Sequence, residues 1–284
     1  MNSYLCLRCN LAKGLEEDLP DIAVSWPVLG IEIEGVDGDL VRATIYGESV
    51  DADSLSRLAA VLTDHGATDV RIETFGKQDW LQGYRDAVQP FAVGDHWWID
   101  PHPNDPSRAP GDRRRLVIEP RTAFGSGSHE STMMVLAALE DLKLVGTDVL
   151  DVGTGTGILA LAAESLGARR VVALDIDESA IWVARQISAQ QEWSPRVQYV
   201  LGPLTCIGAA QFQIIVCNMI SSNFRPLLVE MSRVLAADGL IILAGLLAAE
   251  IDTVTGALLS VGLETRSHRV LGEWASLSAT PVDR

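Results

Sequence analysis

Hydrophobic and polar residues alternate in two different rhythms along this 284-residue chain, and the rhythm changes near residue 115. Before that point, short alternating runs typical of half-buried strands surround an amphipathic stretch at residues 51–64, where Leu55, Leu58 and Leu62 recur at helical spacing. After it, short continuous apolar runs alternate with longer helical patterns, as in parallel sheets covered on both faces. The pattern therefore predicts two structural units of different class.

The first unit is predicted to have the order βαββαβ, which is the ferredoxin-like arrangement of a small α+β domain. A loop or linker rich in proline is expected at 101–115. The predicted domains are a small α+β domain at 1–78, a linker and connecting helix at 79–115, and a larger domain at 116–284. Strands are expected at residues 4–11, 28–34, 40–46 and 70–74, and helices at 12–21, 51–64 and 79–91.

The second unit has the βαβ rhythm of an α/β, doubly wound, Rossmann-like sheet, which binds ligands at the carboxyl ends of its strands. Two runs near the end of the chain, 263–270 and 274–279, are expected to pair as an antiparallel hairpin that closes the sheet. The other strands are expected at residues 148–152, 171–174, 198–201, 214–216 and 240–244, and helices at 131–142, 157–166, 178–190, 224–234 and 249–260.

A glycine loop follows the first strand of this unit. Gly153, Gly155 and Gly157 form the pattern Gly-x-Gly-x-Gly, and Asp175 ends the next strand, where a carboxylate can bind both ribose hydroxyls of a nucleoside. Dinucleotide sites favour Gly-x-Gly-x-x-Gly instead, and Asp151 just before the loop suits a cationic amino-acid group better than a pyrophosphate. S-adenosylmethionine is therefore the expected cofactor, and the alternative is a glycine turn without a ligand.

Two further segments carry candidate chemistry. Asn218 follows an apolar strand at the switch point of the sheet, where it could accept a hydrogen bond from a substrate amine or simply form a strand-end turn. The segment 123–132 places two glycines and several hydroxyl groups before a helix, so that Thr132 could face the cofactor. His129 in this segment is either a general base or, as is commoner at a helix start, a structural residue.

Together these motifs resemble the ribosomal protein L11 methyltransferases (the PrmA type), a family of class I S-adenosylmethionine-dependent methyltransferases. The Phe-Gly-x-Gly-x-His block at 124–129 is specific to this family and its close lysine-methylating relatives. The likeness continues to Trp274 and rests on residues 123–132, 149–157, 173–177, 218–220 and 243–247, in this order and spacing.

The resemblance implies transfer of methyl groups to lysine ε-amino or N-terminal α-amino groups of ribosomal protein L11, with a ferredoxin-like domain that recognises this substrate. In that reading Asn218 is the catalytic residue, because it would orient the amine. Two alternatives are a methyltransferase for another protein or a small molecule, and a non-catalytic S-adenosylmethionine-binding protein. The expected cofactor-binding residues are Phe124, Thr132, Gly153, Gly155, Gly157, Asp175 and Asn218.

Composition and charge bear on the expected partners, the location and the metal content of the protein. Lys and Arg number 22 against 38 Asp and Glu, and the net charge of −16 argues against direct nucleic-acid binding and fits a basic protein partner. Neither a membrane-spanning run nor a secretory signal is recognised, so no membrane contact and a cytoplasmic location are expected. Cys6 and Cys9 have the spacing of half a zinc site or of a redox pair, but Cys206 and Cys217 lie far apart, so two thiols in a strand are favoured and no metal centre is expected.

Overall fold

The computed structural model describes residues 3–15, 19, 22, 26, 28–35, 40–48, 52–76, 88–105, 109–121, 123–193, 195–209 and 211–282. Contacts within the chain divide it into two compact units, Met1–Trp80 and Leu81–Arg284. In this described part of the chain, none of the helices is both long enough and apolar enough to cross a membrane.

The first unit is built on an antiparallel sheet. Its strands are β1 Ser3–Ala12, β2 Val28–Gly35, β3 Leu40–Glu48 and β4 Thr68–Gly76, in the order β2-β3-β1-β4. Helix α1, Ala52–Asp64, buries Leu55, Leu58 and Leu62 in the core of this unit, as the leucine spacing predicts. Each strand lies within two residues of its predicted bounds.

Two details of the first unit bear on the sequence predictions. The helix expected at 12–21 lies mostly outside the described residues, and its first residue, Ala12, is instead the last residue of β1. Cys6 and Cys9 are buried free thiols in β1. Among the described residues, no group of three or more His, Cys, Asp or Glu side chains could hold a metal ion.

The second unit is organised around a seven-stranded mixed sheet. Its strands are β8 Asp148–Val152, β9 Arg170–Asp175, β10 Val197–Leu201, β11 Phe212–Asn218, β12 Leu235–Leu247, β13 Leu263–Leu271 and β14 Trp274–Pro281. The spatial order is β10-β9-β8-β11-β12-β14-β13, and β14 runs antiparallel to both of its neighbours. The predicted α/β unit with a mixed central sheet is therefore confirmed. The order reverses between β8 and β11, which makes this the switch point.

Helices cover both faces of this sheet. They are α2 Glu130–Glu140, α3 Ile158–Ser165, α4 Glu178–Ala189, α5 Ser221–Phe224, α6 Leu228–Val234 and α7 Ile251–Ser260. Successive residues of β8 point to opposite faces, so Val149 and Leu150 belong to two separate buried clusters. This two-sided burial explains why the strands of the unit are continuous apolar runs rather than alternating ones.

A small second sheet in this unit escaped prediction. Strands β5 Phe91–Val93, β6 Trp97–Asp100 and β7 Arg114–Val117 pair in chain order. They lie largely within residues 79–115, the predicted linker and connecting helix. Phe91 is thus a strand residue rather than the end of a helix, and 79–87 lie outside the described residues. Trp97 is fully buried, and its indole N–H donates to the Leu136 carbonyl at 3.2 Å.

The helix expected at 224–234 is also corrected by the structure. A 3-10 turn at Arg225–Leu227 separates α5 from α6. Pro226 supplies the physical reason, because it has no N–H to donate and its ring crowds the preceding turn of an α-helix. The break leaves a short helix directly after the carboxyl end of β11.

Candidate active site

The glycine loop leaves β8 at the switch point and is held by backbone hydrogen bonds. The N–H groups of Gly153 and Thr154 both donate to the Leu174 carbonyl, at 2.9 and 3.0 Å. Gly153, Gly155 and Gly157 have φ angles of +72°, +54° and +84°, in the left-handed region that favours glycine. The loop therefore has one fixed path between β8 and α3.

Gly155 is required for a second reason. A Cβ atom at this position would collide with the backbone carbonyl oxygen of Phe124. The two segments are also tied together by Thr156, whose N–H donates to that same oxygen at 3.0 Å and whose hydroxyl donates to the Gly125 carbonyl at 2.7 Å. The segment around Phe124 and the glycine loop thus form one continuous wall, although they lie 31 residues apart in the chain.

Asp175 is fixed at the carboxyl end of β9 by two backbone groups. Its Oδ2 accepts the Gly155 N–H at 3.0 Å, and its Oδ1 accepts the Asp177 N–H at 3.1 Å. Each carboxylate oxygen has a second lone pair, so the group can still accept two hydroxyl hydrogens from a ligand. The side chain is held in the place where the sequence predicts a ribose-binding carboxylate.

Asn218 ends β11 on the other side of the switch point and is 9% exposed. Its Nδ2 donates to the hydroxyl of Thr132 at 3.0 Å, and Thr132 is fully buried in α2. Its Oδ1 is buried and has no hydrogen-bond partner among the described residues. A buried acceptor without a donor is costly, which indicates a position built for the donor of a ligand.

Asp151 lies beneath the glycine loop and is buried. Burial raises the pKa of Asp151 to about 7, although a hydrogen bond of 2.6 Å from the Thr154 hydroxyl to Oδ2 opposes this shift. A cation bound nearby would favour the ionised form of this carboxyl group. The residue can therefore respond to the charge of a ligand in the site.

His129 is the N-cap of α2. Its Nδ1 accepts the Ser131 N–H at 3.2 Å and lies 2.8 Å from the Ser131 hydroxyl, so this nitrogen is engaged within the start of the helix. The ring packs edge-on between Phe124 and Trp274, with centroid distances of 5.4 and 4.8 Å. The structure thus favours the structural interpretation of His129 over the general base.

One cleft of about 430 Å³ brings most of the predicted site residues together, and this volume is typical of small-molecule sites. Thr132 and Gly157 lie behind its surface, where Thr132 holds the Asn218 amide and Gly157 starts α3. The predicted residues that line the cleft are Phe124, Gly153, Gly155, Asp175 and Asn218.

Sequence reasoning did not predict several other residues of the cleft wall as site residues, among them Asp177, Asn223 and Trp274. The strand register could have located Trp274, because it pairs with Leu247 at the carboxyl end of β12. No sequence pattern pointed to Asn223 as a site residue. It lies in the short helix before Pro226, and the sequence analysis did not predict that this helix is separate from the next one.

Comparison with known proteins identifies the group to which this fold and site belong. Residues 23–281 match the family described as ribosomal protein L11 methyltransferase (PrmA). The chain is 38% identical over 293 residues to the ribosomal protein L11 methyltransferase of Geobacter metallireducens, covering 95% of this chain and 96% of that protein. Identity to the enzyme of the same name from Methylobacillus flagellatus is 35% over 243 residues, covering 84% and 79%.

A solved structure shares the fold. The ribosomal protein L11 methylase of Lactobacillus delbrueckii subsp. bulgaricus superposes with a TM-score of 0.64 at 24% identity, over 69% of this chain and 100% of that one. The fold and the family match define an S-adenosylmethionine-dependent methyltransferase, which is an enzyme. The chain belongs to the ribosomal protein L11 methyltransferase (PrmA) family, which confirms the family and cofactor inferred from its motifs.

Proposed function

We propose that this enzyme transfers methyl groups to amine nitrogens of ribosomal protein L11, at lysine side chains or at the N-terminal amine. Its relatives carry the name of that substrate. The observation that carries the proposal is the buried Oδ1 of Asn218, which has no partner among the described residues, in a residue that lines the same cleft as Gly153 and Gly155. An amine N–H is a donor of the kind that this oxygen lacks.

The residues of the cleft fit S-adenosylmethionine, which supplies a methyl group on a sulfonium sulfur when it is bound. Gly153 and Gly155 line the cleft and would let the backbone approach the cofactor closely, whereas Gly157 would support the loop from behind; at all three positions a side chain would strain the left-handed backbone. Asp175 would accept the ribose hydroxyls. Asp151 would favour the cationic amino-acid end, and burial has already shifted its pKa close to neutrality.

Phe124 and Thr132 complete the proposed binding set in different ways. Phe124 forms a half-exposed apolar wall of the cleft. Thr132 is buried behind the cleft and acts through the Asn218 amide that it holds. We therefore assign Phe124 to contact with the cofactor or the acceptor, and Thr132 to the orientation of Asn218.

The acceptor amine must be neutral to react, while a free lysine has a pKa of about 10.4. The apolar surfaces of Phe124, Ile220 and Trp274 around the cleft would favour the neutral form by excluding water. Asn218 Oδ1 would then accept one amine hydrogen and orient the nitrogen lone pair. No general base is assigned, because the His129 Nδ1 already accepts a backbone N–H. Catalysis by this chain is accordingly positioning combined with desolvation.

We also propose that residues 1–78 form a ferredoxin-like domain that recognises the protein substrate. The strand order β2-β3-β1-β4 and the crossing of α1 between β3 and β4 support that topology. In this division residues 79–115 connect the domains and also supply strands to the catalytic unit, whose main sheet lies within 116–284. The acidic chain complements a basic ribosomal protein.

The test is methyl transfer from radiolabelled S-adenosylmethionine to purified, unmethylated ribosomal protein L11, with the product sites read by mass spectrometry. We expect mass gains in steps of one methyl group on lysines or the N-terminal amine, and none on an unrelated basic protein of similar size. Cofactor binding without any gain would move the substrate to another protein or a small molecule. A chain that does not bind S-adenosylmethionine would overturn the whole proposal.

A further inference from the structure

A carboxylate outside the cleft holds the segment that follows Asn218. Ser221 is the first residue of α5 and is 7% exposed, and its hydroxyl donates to Glu250 Oε1 at 2.5 Å. Glu250 Oε2 accepts the Leu247 N–H at 2.8 Å. Glu250 therefore joins the end of β12 to the start of α5, which lies 29 residues earlier in the chain.

The segment held in this way forms part of the cleft. Met219 and Ile220 stand between Asn218 and Ser221, and both of them line the cleft. The Met219 N–H donates to the Ala244 carbonyl at 3.1 Å, so a backbone bond fixes the segment on one side of Ile220. The Ser221 hydroxyl fixes it on the other side through Glu250.

Close packing adds to these two attachments. Gly245 has a φ of +86°, and a Cβ atom there would collide with the carbonyl oxygen of Met219. Strand β12 therefore lies directly against the backbone of the segment at Met219. In contrast, Ile220 has 53% of its surface exposed, so its position depends on the backbone attachments at either side of it.

Glu250 is suited to such an attachment because it is held as a carboxylate. The hydroxyl of Ser221 and then the N–H of Leu247 keep the pKa of Glu250 below its usual value, and the positive charge of Arg225 acts in the same direction. Hydrogen bonds to an ionised acceptor are shorter and stronger than those between neutral groups. One side chain thus makes two charge-assisted contacts, with the end of a strand and with the start of a helix.

We propose that Glu250 is a positioning residue for methyl transfer, and this inference rests on the proposed function of the cleft. Through Ser221 it sets the backbone of Met219 and Ile220, and with it the acceptor side of the cleft beside Asn218. The two hydrogen-bond partners of Glu250, Ser221 and Leu247, belong to neither the glycine loop nor the Asp175 turn. Although the Met219 side chain lies against Gly153 of the loop, Glu250 should therefore affect the use of the acceptor much more than the binding of S-adenosylmethionine.

The experiment compares Glu250→Ala, Ser221→Ala, the double variant and Glu250→Gln in the full-length enzyme. We expect each alanine variant to lower kcat/KM for ribosomal protein L11 about tenfold, since each removes the same attachment. The kcat/KM of the double variant should be no lower than that of the less active single variant, because both substitutions remove the same attachment. Glu250→Gln should recover most of the activity, because glutamine can accept from Leu247 and donate to Ser221.

Glu164→Ala is the matched control. Glu164 also accepts two hydrogen bonds, from the Trp193 indole at 2.7 Å and from the Arg196 N–H at 3.3 Å, but it lies outside the cleft. We expect this variant to lower the Tm without changing kcat/KM. All variants should bind S-adenosylmethionine within about twofold of the wild type, because the glycine loop is untouched.

Hydrogen exchange of the amides of residues 219–224 gives a readout that does not depend on the substrate. Exchange should accelerate at least about fivefold in Glu250→Ala and stay at the wild-type rate in Glu164→Ala. Unchanged exchange, unchanged kcat/KM or an equal loss of cofactor affinity in Glu250→Ala would overturn the positioning role. If the wild-type enzyme leaves L11 unmodified, the proposed substrate is wrong, and the exchange experiment still decides the role of Glu250.

Discussion

The two halves of the cleft are built in opposite ways. On the side of β8 and β9, the polar groups that line the cleft have partners within the protein, since both Asp175 oxygens accept backbone N–H groups and the Gly153 N–H donates to Leu174. Behind this lining, the Oδ1 of Asp151 is buried without a hydrogen-bond partner among the described residues. On the side of β11, Asn218 has a buried oxygen without a partner among the described residues, and Ile220 is half exposed. The lining of the first half is therefore satisfied without a ligand, whereas the lining of the second half contains an acceptor that only a ligand would satisfy.

This difference indicates that the first half of the cleft binds the cofactor and that the second half orients the reacting group. A loop whose path is fixed in advance gives affinity at little cost in ordering, which suits a cofactor that must bind in every cycle. An unpaired acceptor beside apolar surface is satisfied only when an amine arrives, which suits the reacting group. Changes in the first half should therefore alter cofactor binding, and changes in the second half should alter turnover.

The largest effect is expected from Gly155→Ala. The new Cβ would collide with the Phe124 carbonyl oxygen and would separate the two segments that form the wall. We expect the affinity for S-adenosylmethionine, measured by calorimetry, to fall about a hundredfold, because forcing an extra methyl group into such a close contact costs up to about 3 kcal/mol.

Gly146→Ala is the matched control for this prediction. Gly146 has a φ of +82°, but none of the described atoms lies within 4 Å of its Cβ position. Alanine there introduces the same kind of backbone strain without a collision, so cofactor affinity should stay at the wild-type value. Equal losses of affinity in the two variants would show that strain, and not the approach of Phe124 to the loop, determines the result.

Asp175→Ala should produce the next largest effect. Removing the carboxylate takes away the proposed ribose acceptor and also the partner of the Gly155 N–H. Since a hydrogen bond to a charged group contributes about 1.5–3 kcal/mol, the Kd for S-adenosylmethionine should rise about 10- to 100-fold. The kcat at saturating cofactor should change little. A large loss of kcat with an unchanged Kd would reverse the assignment of the two halves.

The position of several site residues in the fold could be predicted from the sequence. The glycine spacing, Asp175 and Asn218 could all be placed, because each directly follows an apolar run and the carboxyl ends of parallel strands meet at one edge. Distance along the chain did not matter for them, since the strand order of the fold class brings these ends together.

Other features depend on contacts that no local pattern contains. The β6 and β7 strands of four residues each pair across a proline-rich loop, and such short runs carry little periodicity. The role of His129 depends on a hydrogen bond to Ser131 that only the structure shows. The attachment of Ser221 to Glu250 spans 29 residues and uses residue types that are common on any surface.

Asp151→Asn tests the electrostatics beneath the cofactor loop. Burial raises the pKa of Asp151 in the folded state to about 7, above its ordinary value of 3.8. The folded state therefore binds this proton more tightly than the unfolded state, and that stabilisation is lost as the pH rises from about 4 through 7. Asparagine has no such loss, so the stability of the variant relative to the wild type should increase from pH 5 to pH 8.

Urea unfolding at pH 5 and at pH 8 provides the measurement. The advantage of the variant in the free energy of unfolding should grow by about 2–3 kcal/mol between the two pH values. The affinity for S-adenosylmethionine should fall in the same variant, because the charge opposite its cationic group is removed. A stability difference that stays constant between the two pH values would contradict burial as the cause of the raised pKa.

Thr132→Val should have the smallest effect. Valine keeps the shape of the buried side chain but removes the oxygen that accepts from the Asn218 Nδ2. We expect kcat to fall about fivefold, which corresponds to one neutral hydrogen bond, while the Kd for S-adenosylmethionine changes little. Thr132→Ser keeps the hydroxyl and should retain the wild-type kcat. Equal losses of kcat in both variants would point to packing rather than to the hydrogen bond.

Asn218→Ala, with cofactor affinity and turnover on ribosomal protein L11 measured in the same preparation, tests the division between the two halves most directly. The account predicts that kcat falls about a hundredfold, as expected when an oriented polar group at a reacting centre is removed. It predicts at the same time that the Kd for S-adenosylmethionine stays within about threefold of the wild type. Equal losses in turnover and affinity would contradict it, because Asn218 would then belong to the cofactor half of the cleft.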